Sequence, residues 1–214
     1  VLGAFVAVIA VLALLVAVLL YGLYVFPQLA GKVLLAALAW WLLATLLVLN
    51  FPRSKVLFQS LPSKVLIGLL ILLPAWQGLV LLKQWPLGNY LIVAVMVLVW
   101  AADIGAYFAG RAFGKRKLAP QVSPGKSWEG VLGGLFTCLL ITLAVGLGRH
   151  WGLVELALAL ASTLLLVLVS VVGDLTESMF KREAGIKDSS NLLPGHGGIL
   201  DRIDSLTAAL PVFL

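Results

Sequence analysis

The residues best suited to chemistry are three aspartates late in the sequence, Asp174, Asp201 and Asp204. Asp201 and Asp204 are three residues apart, so a helix would place them on one face. Asp174 follows one apolar run and the other two begin the next, so all three can meet at one edge of a membrane. Carboxylates that converge repel each other unless a cation lies between them, and hard oxygen ligands suit Mg²⁺. The pattern therefore predicts a magnesium site.

A structural alternative exists for the same acids. Asp174 can cap a helix, and Glu177 three residues later would complete a capping box. Asp201 and Asp204 are also three residues apart, so they could form a helix cap in the same way. The number of acids close to one membrane edge favours the metal site over two separate caps.

Positive side chains surround these aspartates in the polar segment Ser178–Asp204. Four cations lie in it: Lys181, Arg182, Lys187 and Arg202. His196 stands among glycines in Pro194–Gly198, where the backbone can approach a ligand closely. Cations beside a magnesium site favour phosphate binding. The alternatives are cations that only set membrane orientation and a histidine that is only solvated.

Two earlier features favour the same chemistry. The run from Ser123 to Ser127 places a glycine and Lys126 at the mouth of a helix, where backbone N–H groups and one charge can hold phosphate. It lacks the two spaced glycines of a Walker A loop. Asp103 lies near the end of an apolar run, where an acid needs a polar cavity or a basic partner. The alternatives are an ordinary helix start at Ser127 and an interfacial acid beside Arg111.

The elements that must position these residues are membrane helices. The chain is 62% hydrophobic and 11% charged, whereas soluble domains are about 25% charged. Long apolar runs of this kind predict an all-α integral membrane protein, a polytopic helical bundle. About seven segments are expected: Val1–Phe26, Val33–Asn50, Val65–Leu82, Asn89–Ala109, Trp128–Leu147, Leu153–Val172 and a last one that starts near Ile203. We expect further segments at both ends of this sequence.

The distribution of basic residues orients the bundle. Twelve of the 15 Lys and Arg residues lie in the three loops 51–64, 110–127 and 174–202. By the positive-inside rule these loops, and the polar active site with them, face the cytoplasm. The same distribution explains the net charge of +6 without nucleic acid as a partner. Cys138 stands alone in an apolar run, which predicts a buried core thiol and no disulfide.

The signature carried by the polar segment resembles that of a known family. Ser178-x-x-Lys181-Arg182, then Lys187-Asp188, then Leu193-Pro194-x-His196-Gly197-Gly198-x-x-Asp201-Arg202-x-Asp204 is similar to the motif of bacterial phosphatidate cytidylyltransferases (CDP-diacylglycerol synthases). The runs Trp100–Tyr107 and Ser123–Gly130 resemble other segments of that family. The resemblance divides the chain into N-terminal membrane helices, 1–98, and a catalytic membrane region, 99–214.

That resemblance implies an activity and a site. The enzyme would transfer CMP from CTP to phosphatidic acid in the bacterial inner membrane, as a homodimer, with Mg²⁺ and a monovalent cation, K⁺. Asp174 and Asp201 would be metal ligands, with Asp204 nearby as a third candidate ligand, and Lys187 is expected to be a further catalytic residue. Substrate contacts are expected from seven residues: Asp103, Ser123, Lys126, Lys181, Arg182, His196 and Arg202.

Two alternatives stay open at this point. A CTP-dependent lipid kinase of the polyprenol or phytol type would transfer the γ-phosphate to an alcohol and would need a base for the hydroxyl. A transporter or lipid-binding scaffold would place paired, broken helices and charged groups at mid-membrane depth. The predicted charges gather at one edge instead, which argues against the scaffold.

Overall fold

The computed structural model describes residues 28–192, 194–195 and 197–213. These residues form six α-helices and one small hairpin: α1 (Gln28–Leu49), α2 (Leu61–Gln84), α3 (Gly88–Phe113), β1 (Lys117–Ala119), β2 (Ser123–Ser127), α4 (Trp128–Gly148), α5 (Leu153–Glu183) and α6 (Leu200–Phe213). A short 3₁₀ helix, Arg53–Phe58, joins α1 to α2. The predicted segment Val1–Phe26 and the predicted site residue His196 lie outside the described residues.

Five of these helices, α1 to α5, are long and apolar enough to cross a membrane. They coincide with the second to sixth predicted segments, which confirms the polytopic helical class. Many of their leucines are exposed; Leu42 and Leu49, for example, are each 72% exposed. Exposed leucines on long apolar helices suit contact with lipid tails. The predicted seventh segment corresponds to α6, which has 14 residues in the described part of the chain.

Helix α5 corrects the prediction for the sixth segment. Instead of ending at Val172, it continues for three more turns to Glu183. Asp174 therefore lies inside a helix and does not cap one, so the capping-box interpretation of Asp174 and Glu177 is wrong. The extension is stabilised by packing: Leu175 and Met179 are buried in an apolar cluster with Trp41, Phe58 and Ala208.

The segment 111–126, predicted as a loop, contains the antiparallel pair of β1 and β2. Ser127 ends the hairpin and begins α4, where its hydroxyl accepts a hydrogen bond from the Gly130 N–H at 3.2 Å. Glu129 in the first turn of α4 accepts the backbone N–H groups of Lys115 and Arg116. These contacts hold the basic hairpin against the helix start. Cys138 is buried as predicted, and its thiol donates to the Leu98 carbonyl at 3.1 Å.

Close packing of α5 on α6 depends on Gly173. A Cβ at this position would lie 2.7 Å from the Asp204 carbonyl oxygen and 3.0 Å from the Ala208 Cβ. Because both are backbone or near-backbone atoms, the two helices would have to separate to accept it. Gly173 therefore brings the polar end of α5 against the start of α6.

Gly173→Ala should lower stability, since relieving the overlap costs about 1–3 kcal/mol. The measurement is thermal unfolding of the purified protein in detergent micelles. Gly31→Ala in α1 is the matched control, because a Cβ there meets nothing within 4 Å. An unchanged unfolding temperature for Gly173→Ala would contradict the described packing of α5 on α6.

Candidate active site

The last turns of α5 present a row of polar groups at helical spacing. Asp174, Glu177 and Lys181 follow each other at intervals of three and four residues, so they share one side of the helix. The Lys181 ammonium donates to Glu177 Oε2 at 2.8 Å. The Ser178 hydroxyl donates to Asp174 Oδ1 at 3.2 Å. This row turns one end of an apolar helix into a charged surface.

Asp204 of α6 joins this row across the Gly173 contact. Its carboxyl lies close to that of Glu177 and within electrostatic range of Asp174. Glu177 Oε1 is buried and has no hydrogen-bond partner in the described part of the chain. We call Asp174, Glu177 and Asp204 the acidic cluster. The structure thus brings together two of the three predicted metal ligands and adds Glu177, which sequence reasoning treated only as a capping partner.

Lys126 reaches the acidic cluster from the hairpin. Its ammonium forms an ion pair with Asp174 Oδ2, and each side chain is about one quarter exposed. Asp103 of α3 lies within electrostatic range of both Asp174 and Lys126. The hairpin, α3 and α5 therefore converge on Asp174.

Asp201 has a different environment from the other two aspartates. Its Oδ1 accepts from Lys181 Nζ at 2.7 Å. Its Oδ2 accepts three further hydrogen bonds, from the Ser189 N–H and hydroxyl and from the Gly198 N–H, at 2.7 to 2.9 Å. Burial by itself would raise the pKa of Asp201. The hydrogen bonds from these donors lower it by a larger amount, so the pKa lies well below its usual range. In this arrangement Asp201 links the loop after α5 to Lys181 of α5.

Three of the other predicted cations lie at the edge of this site. The Arg182 Nε donates to the Val122 carbonyl at 3.2 Å, which ties the end of α5 to the hairpin. Arg202 lies exposed in the first turn of α6. Lys187 is exposed in the loop after α5, and within the described ranges it forms no ion pair. Their role as phosphate contacts stays a prediction.

Two cavities open on either side of the acidic cluster. The first, which we call the polar cavity, measures about 550 Å³ and is lined by Asp103, Arg111, Ser123, Lys126 and Asp174 among others. The second, the apolar cavity, measures about 410 Å³ and lies between α1, α2, α5 and α6. Its lining includes five charged side chains: Lys64, Glu177, Lys181, Glu183 and Asp204. Both volumes fall within the range of about 300–1,000 Å³ that is typical of small-molecule sites.

The donor set can be compared with the needs of a divalent cation. Within the residues that the structure describes, no three His, Cys, Asp or Glu side chains are arranged so that they could hold a metal ion as they stand. The acidic cluster nevertheless supplies hard oxygen donors, and the buried Glu177 Oε1 has no hydrogen-bond partner among the described residues. Buried carboxylates in mutual contact repel each other unless protons or a cation intervene. The chemistry of these residues therefore fits Mg²⁺.

Comparisons with known proteins agree with the signature. The model of the cytidylyltransferase family matches residues 2–214. The phosphatidate cytidylyltransferase of Pseudomonas aeruginosa is 72% identical over 198 residues, which is 92% of this chain and 73% of the relative. That of Haemophilus influenzae is 49% identical over 205 residues, 88% of this chain and 69% of the relative. That of Staphylococcus aureus strain COL is 46% identical over 125 residues, which is 58% of this chain and 48% of the relative. These matches confirm the resemblance, and the chain belongs to the cytidylyltransferase family.

Proposed function

We propose that this enzyme transfers CMP from CTP to phosphatidic acid and releases CDP-diacylglycerol and pyrophosphate. The observation that carries the proposal is the acidic cluster, with Lys126 and Lys181 bound to it, at the junction of a polar and an apolar cavity. A nucleotide and a lipid need such a junction in order to react. The names of the relatives from Pseudomonas and Haemophilus support the same substrates.

The reaction joins two anions. An oxygen of the lipid phosphate attacks the α-phosphorus of CTP, a new P–O bond forms, and the bond to the β-phosphate oxygen breaks to release pyrophosphate. The lipid phosphate is already ionised, so the protein need not supply a base or a nucleophile. Lys126 and Lys181 reduce the repulsion between the two substrates, and the site accelerates the reaction chiefly by positioning and by stabilising charge.

The acidic cluster would hold Mg²⁺ through Asp174 and Asp204, with Glu177 Oε1 as a further oxygen within the cluster. Bound there, the ion would neutralise charge on the reacting phosphates. Asp201 is proposed as a ligand by family resemblance, although among the described residues its hydrogen bonds are with the loop and with Lys181. A monovalent cation, K⁺, belongs to the same proposal on resemblance alone.

The remaining substrate contacts, the orientation and the assembly are part of this proposal. Six further side chains are proposed as substrate contacts: Asp103, Ser123, Arg182, Lys187, His196 and Arg202. The excess of basic residues in three alternate loops supports a cytoplasmic active site in the bacterial inner membrane. A homodimer is proposed from the family resemblance.

The test is a comparison of nucleotides and lipid acceptors. The full-length protein, purified with Mg²⁺, should release pyrophosphate when supplied with CTP and phosphatidic acid together and should release none when either is left out. Activity with ATP but not CTP would contradict the proposal. Release of CDP with a lipid alcohol as acceptor would identify the lipid kinase instead.

A further inference from the structure

The apolar cavity is chemically two-sided. At one end lie Glu177, Lys181 and Asp204 of the candidate active site, and its walls include Ile67, Ile71 and Phe180. A ligand that fills it must carry charge or phosphate at one end and hydrocarbon along the rest. A nucleotide does not fit that description, because its polar groups extend over its whole length.

The apolar cavity adjoins a third space, which we call the groove cavity. It measures about 640 Å³ and is lined almost entirely by apolar residues of α2, α3 and α6, from Val65 to Leu79 and from Ile203 to Leu210. Gly68, Leu72 and Thr207 line both spaces. The two neighbouring spaces therefore offer an apolar route from the acidic cluster along α2 and α6.

Trp41 adds a specific polar feature to this route. Its side chain lines the apolar cavity and is only 5% exposed. Its indole N–H has no hydrogen-bond acceptor in the described part of the chain. A buried donor without a partner is unfavourable, so an acceptor supplied by a ligand would be stabilised there. The ester carbonyl of a glycerolipid is such an acceptor and stands between a phosphate and an acyl chain.

The opposite cavity suits the other substrate. Two bases, Arg111 and Lys126, line the polar cavity together with Asp103 and Asp174, beside the hairpin and the start of α4. Basic side chains beside a helix start are suited to a triphosphate. The lining of the two cavities thus suits a nucleotide in one and a lipid in the other.

We propose that the apolar and groove cavities together hold an acyl chain of the lipid substrate, and that Gly68 determines which chains fit. This rests on the proposed function, because the occupant is the acyl chain of phosphatidate. Gly68 lines both spaces, and a Cβ at this position would meet no atom of the described residues within 4 Å. A larger side chain can therefore enter the route without displacing the protein.

The test is Gly68→Leu in the full-length enzyme. The KM for dioleoyl phosphatidate should rise by about tenfold or more. The reason is that one methylene group that no longer fits an apolar pocket changes the preference of an enzyme for a substrate by about 10- to 200-fold. The KM for dihexanoyl phosphatidate and the KM for CTP should stay within about twofold, because short chains do not need the groove cavity.

Gly125→Leu is the matched variant on the other side of α5. Gly125 lines the polar cavity, and a Cβ there also meets nothing within 4 Å. This variant should raise the KM for CTP and leave the dependence on acyl-chain length unchanged. An unchanged chain-length dependence in Gly68→Leu, or equal increases in the KM for both substrates, would overturn the inference.

A binding measurement keeps this inference separate from the proposed reaction. Phosphatidate with a photoreactive diazirine at the end of one acyl chain should label α2 near Leu79 or α6 near Leu210, and Gly68→Leu should reduce that labelling several-fold. Labelling elsewhere, undiminished by the variant, would overturn the inference even in an active enzyme. Labelling at these residues in a protein that forms no CDP-diacylglycerol would support the lipid route and count against the proposed function.

Discussion

Asp174→Asn is expected to lower turnover by about 10²- to 10³-fold, the size of effect that follows the loss of one group stabilising charge in a transition state. Asp174 is the one member of the acidic cluster that lines the polar cavity, and it also pairs with Lys126. The amide keeps the shape of the side chain but loses the charge that pairs with Lys126 and that would hold the proposed divalent cation. The measurement is the rate of CDP-diacylglycerol formation at saturating CTP and phosphatidate.

A matched control separates this effect from a general effect on α5. Glu155 lies in the same helix, roughly 30 Å away at 1.5 Å per residue, and its carboxylate accepts the Gly152 N–H. Glu155→Gln should leave turnover within about twofold, since the amide oxygen can still accept that bond. If the turnover of Asp174→Asn is close to that of the unmodified enzyme, Asp174 is not part of the active site.

Lys181→Met is expected to have the largest effect on stability. The ammonium pairs with Glu177 at 2.8 Å and with Asp201 at 2.7 Å, and the three side chains are only 7–16% exposed. Methionine keeps most of the volume but leaves two buried carboxylates without their cation. Removing one partner of a buried ion pair lowers the free energy of unfolding by about 3–5 kcal/mol. The expected result is a markedly lower unfolding temperature in lipid nanodiscs, together with loss of activity.

The pair formed by Lys64 and Glu183 provides the comparison. Its two charged atoms are 3.7 Å apart and the Lys64 side chain is 50% exposed, so breaking it should cost no more than about 1 kcal/mol. Equal unfolding temperatures for Lys64→Met and Lys181→Met would show that Lys181 is not the centre of a buried charge network.

The sequence predicts the membrane helices well because their signal is local. Length and hydropathy alone locate α1 to α5, and the positions differ from the predicted ones mainly at their ends. The end of α5 is the exception. Its last turns are polar, which is typical of a loop in sequence, but Leu175 and Met179 are held in the core by α1 and α6. That packing is tertiary and leaves no local signal.

The site is predictable in its residue types but not in its pairings. Lys126 and Asp174 are distant in sequence, and only the fold shows that they form an ion pair. Glu177 could have been found from its spacing to Asp174 and Lys181, had the helix been predicted to continue. The four hydrogen bonds of Asp201 depend on the course of a loop, and the unpaired indole of Trp41 depends on a cavity between four helices. Neither has a signal in the sequence.

The most direct test of the proposed reaction follows the phosphorus atoms of CTP into the lipid. The full-length enzyme is incubated with phosphatidate, Mg²⁺ and CTP labelled with ³²P at either the α- or the γ-phosphate, and the lipids are separated by chromatography. Transfer of CMP predicts that the α-label enters the lipid and that the γ-label leaves as pyrophosphate. Entry of the γ-label into the lipid, with the α-label left in CDP, would contradict it.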